Sequence, residues 1–199
     1  MTYLDHSEKM LNMRIFLLSL FLIISFQHWT KAEDIREFEI EGISLGDSLL
    51  KYMSKKAIID DLEYIYPDDG YWAVTVSTKY AFEIYDNVMV HGKKNDSNYY
   101  IYSITGDLFH SDIDKCLKKK EEISANIKNT FSYISTEDIT KKHASDSATT
   151  THSTWYDFED GSILVACYDW SKKSGHPKTT KVTLDTIEFI EWLDNKAYN

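Results

Sequence analysis

Apolar residues along the chain first form one dense run, Ile15 to Phe26, broken only by Ser19 and Ser25, and afterwards recur with periods of two and then of three to four. Phe38 and Ile40 alternate with charged neighbours, which predicts a short half-buried strand. Gly42 and Gly46 mark a turn, after which Asp47 or Ser48 caps a helix carrying Leu49, Leu50 and Met53. Ser54 is placed to cap a second short helix, Lys55 to Asp61, whose Ala57, Ile58 and Ile59 fold back on the first. Period two returns in Tyr71 to Thr78, through Trp72, Val74 and Val76, and again in Phe82 to His91, through Ile84, Val88 and Val90. A third strand, Asn98 to Leu108, sets Tyr100, Tyr102 and Ile104 on one side and Tyr99 and Ile101 on the other. Short connections join the three into an antiparallel meander.

The period then changes. Ser111 caps the longest helix, in which Ile113, Cys116, Leu117, Lys120, Ile123, Ile127, Phe131 and Ile134 form one face suited to cover a sheet. Ser135 to Ser153 is polar and without period, and reads as a mobile loop. Trp155 to Phe158 and Ser162 to Trp170 make a hairpin around Glu159-Asp160-Gly161. A last strand, Thr179 to Leu184, precedes a helix with Asp185 and Glu188 as a capping box and Ile187, Ile190 and Leu193 as its apolar stripe. The fold class is α+β: an antiparallel sheet, meander plus hairpin, packed by one long amphipathic helix, with a short N-terminal helix pair and a C-terminal helix. Residues 33–199 read as a single domain, with a two-lobed arrangement dividing near 135–153 as the alternative.

The apolar run of 12 residues follows Arg14 and precedes Thr30 and Ala32 at the small-residue positions of a signal-peptidase site. It is shorter than the roughly 20 residues that span a bilayer. Residues 1–32 therefore read as a secretory signal cleaved after Ala32, starting at Met1, Met10 or Met13, and the protein as periplasmic or secreted without a permanent membrane anchor. Cleavage leaves 19 basic against 30 acidic residues, a net charge of −11. Such a field repels phosphate backbones and anionic lipid heads, which makes nucleic acid and acidic membrane poor partners, so no nucleic-acid partner is expected. In an oxidising compartment the two cysteines, Cys116 and Cys167, read as a disulfide between the long helix and the strand beneath it.

Gly46-Asp47-Ser48-Leu49 matches the name-giving motif of the GDSL esterases and lipases. That resemblance implies Ser48 as nucleophile, with a base from an Asp-x-x-His pair and an oxyanion hole from a Gly and an Asn. Asp107-Leu108-Phe109-His110 has the spacing, which makes His110 and Asp107 the candidate partners, although it lies mid-chain and the last 60 residues hold no Asp-x-x-His. The charged alternation before the motif is also unlike the continuously apolar central strand of a parallel sheet. His91, His110, His143, His152 and His176 lack the spacings that bring two imidazoles to one metal, so no metal or cofactor is expected. Tyr99, Tyr100 and Tyr102 are the candidate ligand-stacking residues, against the alternative that they are core.

The segments EGISLGDSLLKYMS, YYIYSITGDLFHSDIDKCLKKKEEI and LVACYDWS together resemble a group of small exported proteins of marine bacteria. A short helix pair before a three-stranded meander is also similar to the BamE/SmpA type of outer-membrane assembly lipoprotein, whose lipidated Cys this chain lacks. The expectation is a non-enzymatic exported domain that binds a protein or small ligand in the cell envelope. A GDSL-like esterase using Ser48 and an inhibitor-like module using the Ser135 to Ser153 loop or exposed aromatics are the alternatives.

Overall fold

The computed structural model describes residues 34–76 and 82–198; the signal-like stretch 1–32 lies outside them. Seven strands, β1 (Tyr71–Thr75), β2 (Asn87–Lys93), β3 (Ile101–His110), β4 (Ser135–His143), β5 (Asp146–Asp157), β6 (Gly161–Asp169) and β7 (Lys178–Thr186), form one antiparallel sheet in the order β1-β2-β3-β7-β6-β5-β4. Helix α1 (Lys55–Asp61) precedes the sheet, α2 (Ile113–Thr130) links β3 to β4, and α3 (Ile187–Asn195) follows β7. After β3 the chain crosses one sheet face as α2, enters β4 at the far edge, and meanders back until β7 pairs with β3. Residues 135–153 thus belong to the sheet, as β4 and part of β5.

Register builds the core. Val74, Val90, Ile104, Leu184, Ile163 and Tyr156 lie opposite one another across six strands, each at most 1% exposed. Each such aliphatic side chain contributes about 2 kcal/mol by leaving water. Cys116, Lys120, Ser124 and Ile127 of α2 are buried, and α2 packs on β6, β7 and β3. Cys116 and Cys167 are disulfide-bonded with their Cα atoms 5.7 Å apart, joining α2 to β6 as the periodicity predicts. Lys120 Nζ donates to Thr154 Oγ1 at 2.7 Å, which satisfies a charge on the otherwise apolar stripe. No helix among the described residues is long and apolar enough to cross a membrane.

Several expectations need correction. Phe38 and Ile40 are not in a strand: a 3-10 turn, Ile35–Glu37, precedes a reversal in which Ile40 and Ile43 exchange backbone hydrogen bonds around Glu41 and Gly42, both at positive φ. The helix after Ser48 is a single 3-10 turn, Leu49–Lys51, whereas α1 has the predicted bounds and is capped by Ser54. β2 begins at Asn87 rather than Phe82, because the N–H groups of Glu83, Ile84 and Tyr85 donate to the Glu41 carboxylate at 2.7–2.9 Å instead of to a neighbouring strand. A bulge, Gly92 opposite Ile101 and His91 opposite Ser103, inserts Tyr102 and puts Ile101 and Ile104 on one face. Helix α2 is capped by Asp112, not Ser111, and ends before Ile134, which is exposed. Residues 135–153 form β4 and most of β5 rather than a loop. Thr186, not Asp185, caps α3.

Candidate functional site

The second sheet face carries α3. The turn from β7 into α3 is closed by the Thr186 hydroxyl, which accepts from Phe189 N at 3.3 Å and donates to Tyr102 O at 3.1 Å. Phe189 and Trp192, rather than the expected stripe led by Ile187, which is exposed, face the sheet and lay both rings on Tyr71, at 5.1 and 4.7 Å between centroids. Asp68 Oδ1 accepts from Trp192 Nε1 at 2.7 Å and from Gly70 N at 2.9 Å, and the indole contact first of all holds its carboxyl below the ordinary value. Along α3 opens a cleft of about 580 Å3, walled by Asp68, Tyr71, Lys93, Glu188, Glu191 and Trp192. Lys93 is ion-paired with Glu188, which raises its ammonium pKa.

Beneath α3 lies a polar rung one residue along from the apolar one, on the opposite face. His91 pairs with Ser103, Ser103 with Asp185, and Asp185 with Ser162. All four are buried; both His91 ring nitrogens and Ser162 Oγ have no hydrogen-bond partner among the described residues, while the Ser103 hydroxyl lies close enough to the Asp185 carboxyl to oppose part of the effect of burial on it. The Tyr71 hydroxyl, on the cleft wall, is buried as well. Burial pushes the Asp185 carboxyl up to about 6. Burial, with a smaller push from the Lys181 ammonium, brings His91 down to about 4. The Phe189 ring packs 5.0 Å from the imidazole. Both groups are thus held uncharged around pH 5, capable of hydrogen bonding without an ion pair.

Ser48, Asp107 and His110 are not brought together. Ser48 bridges Tyr100, and its hydroxyl donates to Asn98 O at 2.5 Å and accepts from Leu50 N at 3.3 Å. His110 ends β3, ten residues past Tyr100, so the strand rise alone separates it from Ser48 by roughly 30 Å. There His110 Nε2 lies 2.9 Å from Thr180 Oγ1. Asp107 alternates onto the other face and is ion-paired with Lys181 at 2.8 Å. Gly46 sits at φ 79°, where a side chain would be strained, and Asp47 holds Lys51 and the Tyr52 hydroxyl. The four letters therefore specify a turn and its cap. Replacing Ser48 with Ala is expected to cost about 1 kcal/mol in urea unfolding, the usual loss for an N-cap.

The three tyrosines do not make one platform. Tyr99 rests against Trp72 at 6.0 Å under the Lys55 ammonium, Tyr100 is exposed, and Tyr102 joins Tyr71 at 5.5 Å on the α3 side. The residues that sequence reasoning missed are Asp68, Lys93, Trp192 and the His91–Ser103–Asp185–Ser162 rung. The available signal was His91 and Asp185 standing in otherwise alternating strands. Among the described residues no cluster of three or more His, Cys, Asp or Glu is arranged to hold a metal ion. No protein-family model, curated protein sequence or solved structure matches this chain.

Proposed function

We propose that this is a non-catalytic binding domain, exported to the periplasm or secreted after cleavage behind Ala32, that takes a small hydroxylated ligand, such as a saccharide, in the cleft along α3. The observation that carries the reading is the cleft wall. Three carboxylates, Asp68, Glu188 and Glu191, and two lysines, Lys93 and Lys196, line it, a combination that accepts from and donates to hydroxyl groups. Its volume of about 580 Å3 falls in the range of small-molecule sites. Export is supported by the charged, apolar, small-residue order of residues 14–32 and by the disulfide. The separation of Ser48 from His110 favours binding over ester hydrolysis.

Isothermal titration with glucose, galactose, N-acetylglucosamine and trehalose tests the site. Saturable heat with at least one of them is expected, weakened about tenfold or more by Glu188→Gln, which removes an exposed carboxylate without touching the core. Absence of heat with all four overturns the assignment of ligand class. Turnover of nitrophenyl acetate that disappears in Ser48→Ala, at equal folded fraction, overturns the non-catalytic reading.

A further inference from the structure

The two edges of the sheet are managed differently. β1 is five residues long, and its outer side is already occupied: Glu63 N donates to Ala73 O at 2.9 Å and Ala73 N to Glu63 O at 2.7 Å. β4 has nine residues, about 30 Å of strand, pairs on one side only, and is exposed or half-exposed at every position. A long open edge is a template for another strand. The charges on this one are sorted, Glu137 and Asp138 before Ile139-Thr140 and Lys141 and Lys142 after, so the strand is complementary to itself when reversed.

We propose that β4 is the interface of a symmetric homodimer, in which two β4 strands pair antiparallel about a two-fold axis at Ile139 and join two seven-stranded sheets edge to edge. A two-fold normal to an antiparallel pair sets one residue opposite its own copy, which leaves two central registers. Centred on Ile139, the pairing places Ile139 on Ile139 and Glu137 opposite Lys141 twice. Centred on Thr140, it sets Ile139 against Lys141, an aliphatic side chain against an ammonium. The partners already taken within the chain decide the same way. Asp138 faces Lys120 and holds the Thr154 hydroxyl, and Lys142 donates to Thr150 Oγ1 at 2.9 Å, whereas Glu137 and Lys141 form no ion pair among the described residues. The unused acid and the unused base are the two that the Ile139 register brings together, on one face of the strand.

Sedimentation equilibrium of the purified protein is expected to show a monomer–dimer equilibrium that weakens with salt. Lys141→Glu turns two attractive cross-strand pairs into two repulsive ones and should raise the dissociation constant roughly tenfold or more. The swap Glu137→Lys with Lys141→Glu restores the pairing and should return the constant to within about threefold of wild type. Backbone pairing is read separately: the β4 amides that point away from β5 should exchange more slowly as protein concentration rises. A protein that stays monomeric at millimolar concentration overturns the proposal. So does a dimer that is indifferent to Lys141→Glu, or one whose β4 exchange does not depend on concentration.

Discussion

Removing the Cys116–Cys167 bond is expected to cost about 4 kcal/mol of unfolding free energy, the loop-entropy value for a separation of 51 residues. Against a total of roughly 5–15 kcal/mol for a domain, that is a large share. Both sulfurs are fully buried, and Thr180 Oγ1 donates to Cys116 O at 3.1 Å beside them. The double replacement Cys116→Ala with Cys167→Ala therefore also leaves a small void, while reduction of the wild-type protein keeps the sulfur volume. Urea unfolding of the two forms separates the contributions. Both should lose most of the 4 kcal/mol with a steeper denaturant dependence, because the unfolded chain is released from its loop. A reduced protein within about 1 kcal/mol of the oxidised one would mean that α2 is held to β6 by packing alone.

That bond was legible because two independent signals agree on it, the three-to-four spacing of α2 and an even cysteine count. The Ser54 cap of α1 was legible for a similarly local reason. What escaped depends on distant partners. Glu41 draws the N–H groups of residues 83–85 away from strand pairing, and nothing near Phe82 announces a carboxylate forty residues earlier. β4 carries no alternation because neither of its faces is buried, so its Thr, Lys and Glu residues look like a loop. The Tyr102 bulge reverses the apparent alternation of the tyrosines. Asp185-Thr186-Ile187-Glu188 offers two capping residues three positions from a donor or a carboxylate. Only the sheet register, which buries Asp185 between Ser103 and Ser162, decides for Thr186. The candidate site is illegible for the same reason, since its rung draws one residue from each of four strands.

The rung also sets an unusual pH response, visible only when its two titrating members are separated. Asp185 is raised from 3.8 to about 6, so its contribution is fully present at low pH and is lost as pH rises toward 6. His91 is lowered from 6.5 to about 4, so its contribution is present above 6.5 and is lost as pH falls toward 4. Between pH 4 and 6 the folded chain carries one proton of the pair on the carboxyl, and the unfolded chain carries one on the imidazole. The proton counts match, so these two groups give the wild-type protein no slope across that window. Asp185→Asn removes one side of the balance: stability should then fall as pH drops from 6.5 to 4, by about 3 kcal/mol in all. His91→Phe, which suits the Phe189 and Tyr66 rings around it, removes the other, and stability should fall by about 3 kcal/mol as pH rises from 4 to 6. Urea unfolding at half-unit steps from pH 4 to 7.5 measures both. Opposite slopes relative to the wild-type profile, each differing from it by near 1.4 kcal/mol per pH unit at the steepest, are the expected result. Profiles parallel to wild type would mean that Asp185 and His91 keep their ordinary protonation in the fold, and that the rung beneath α3 is solvated rather than held neutral.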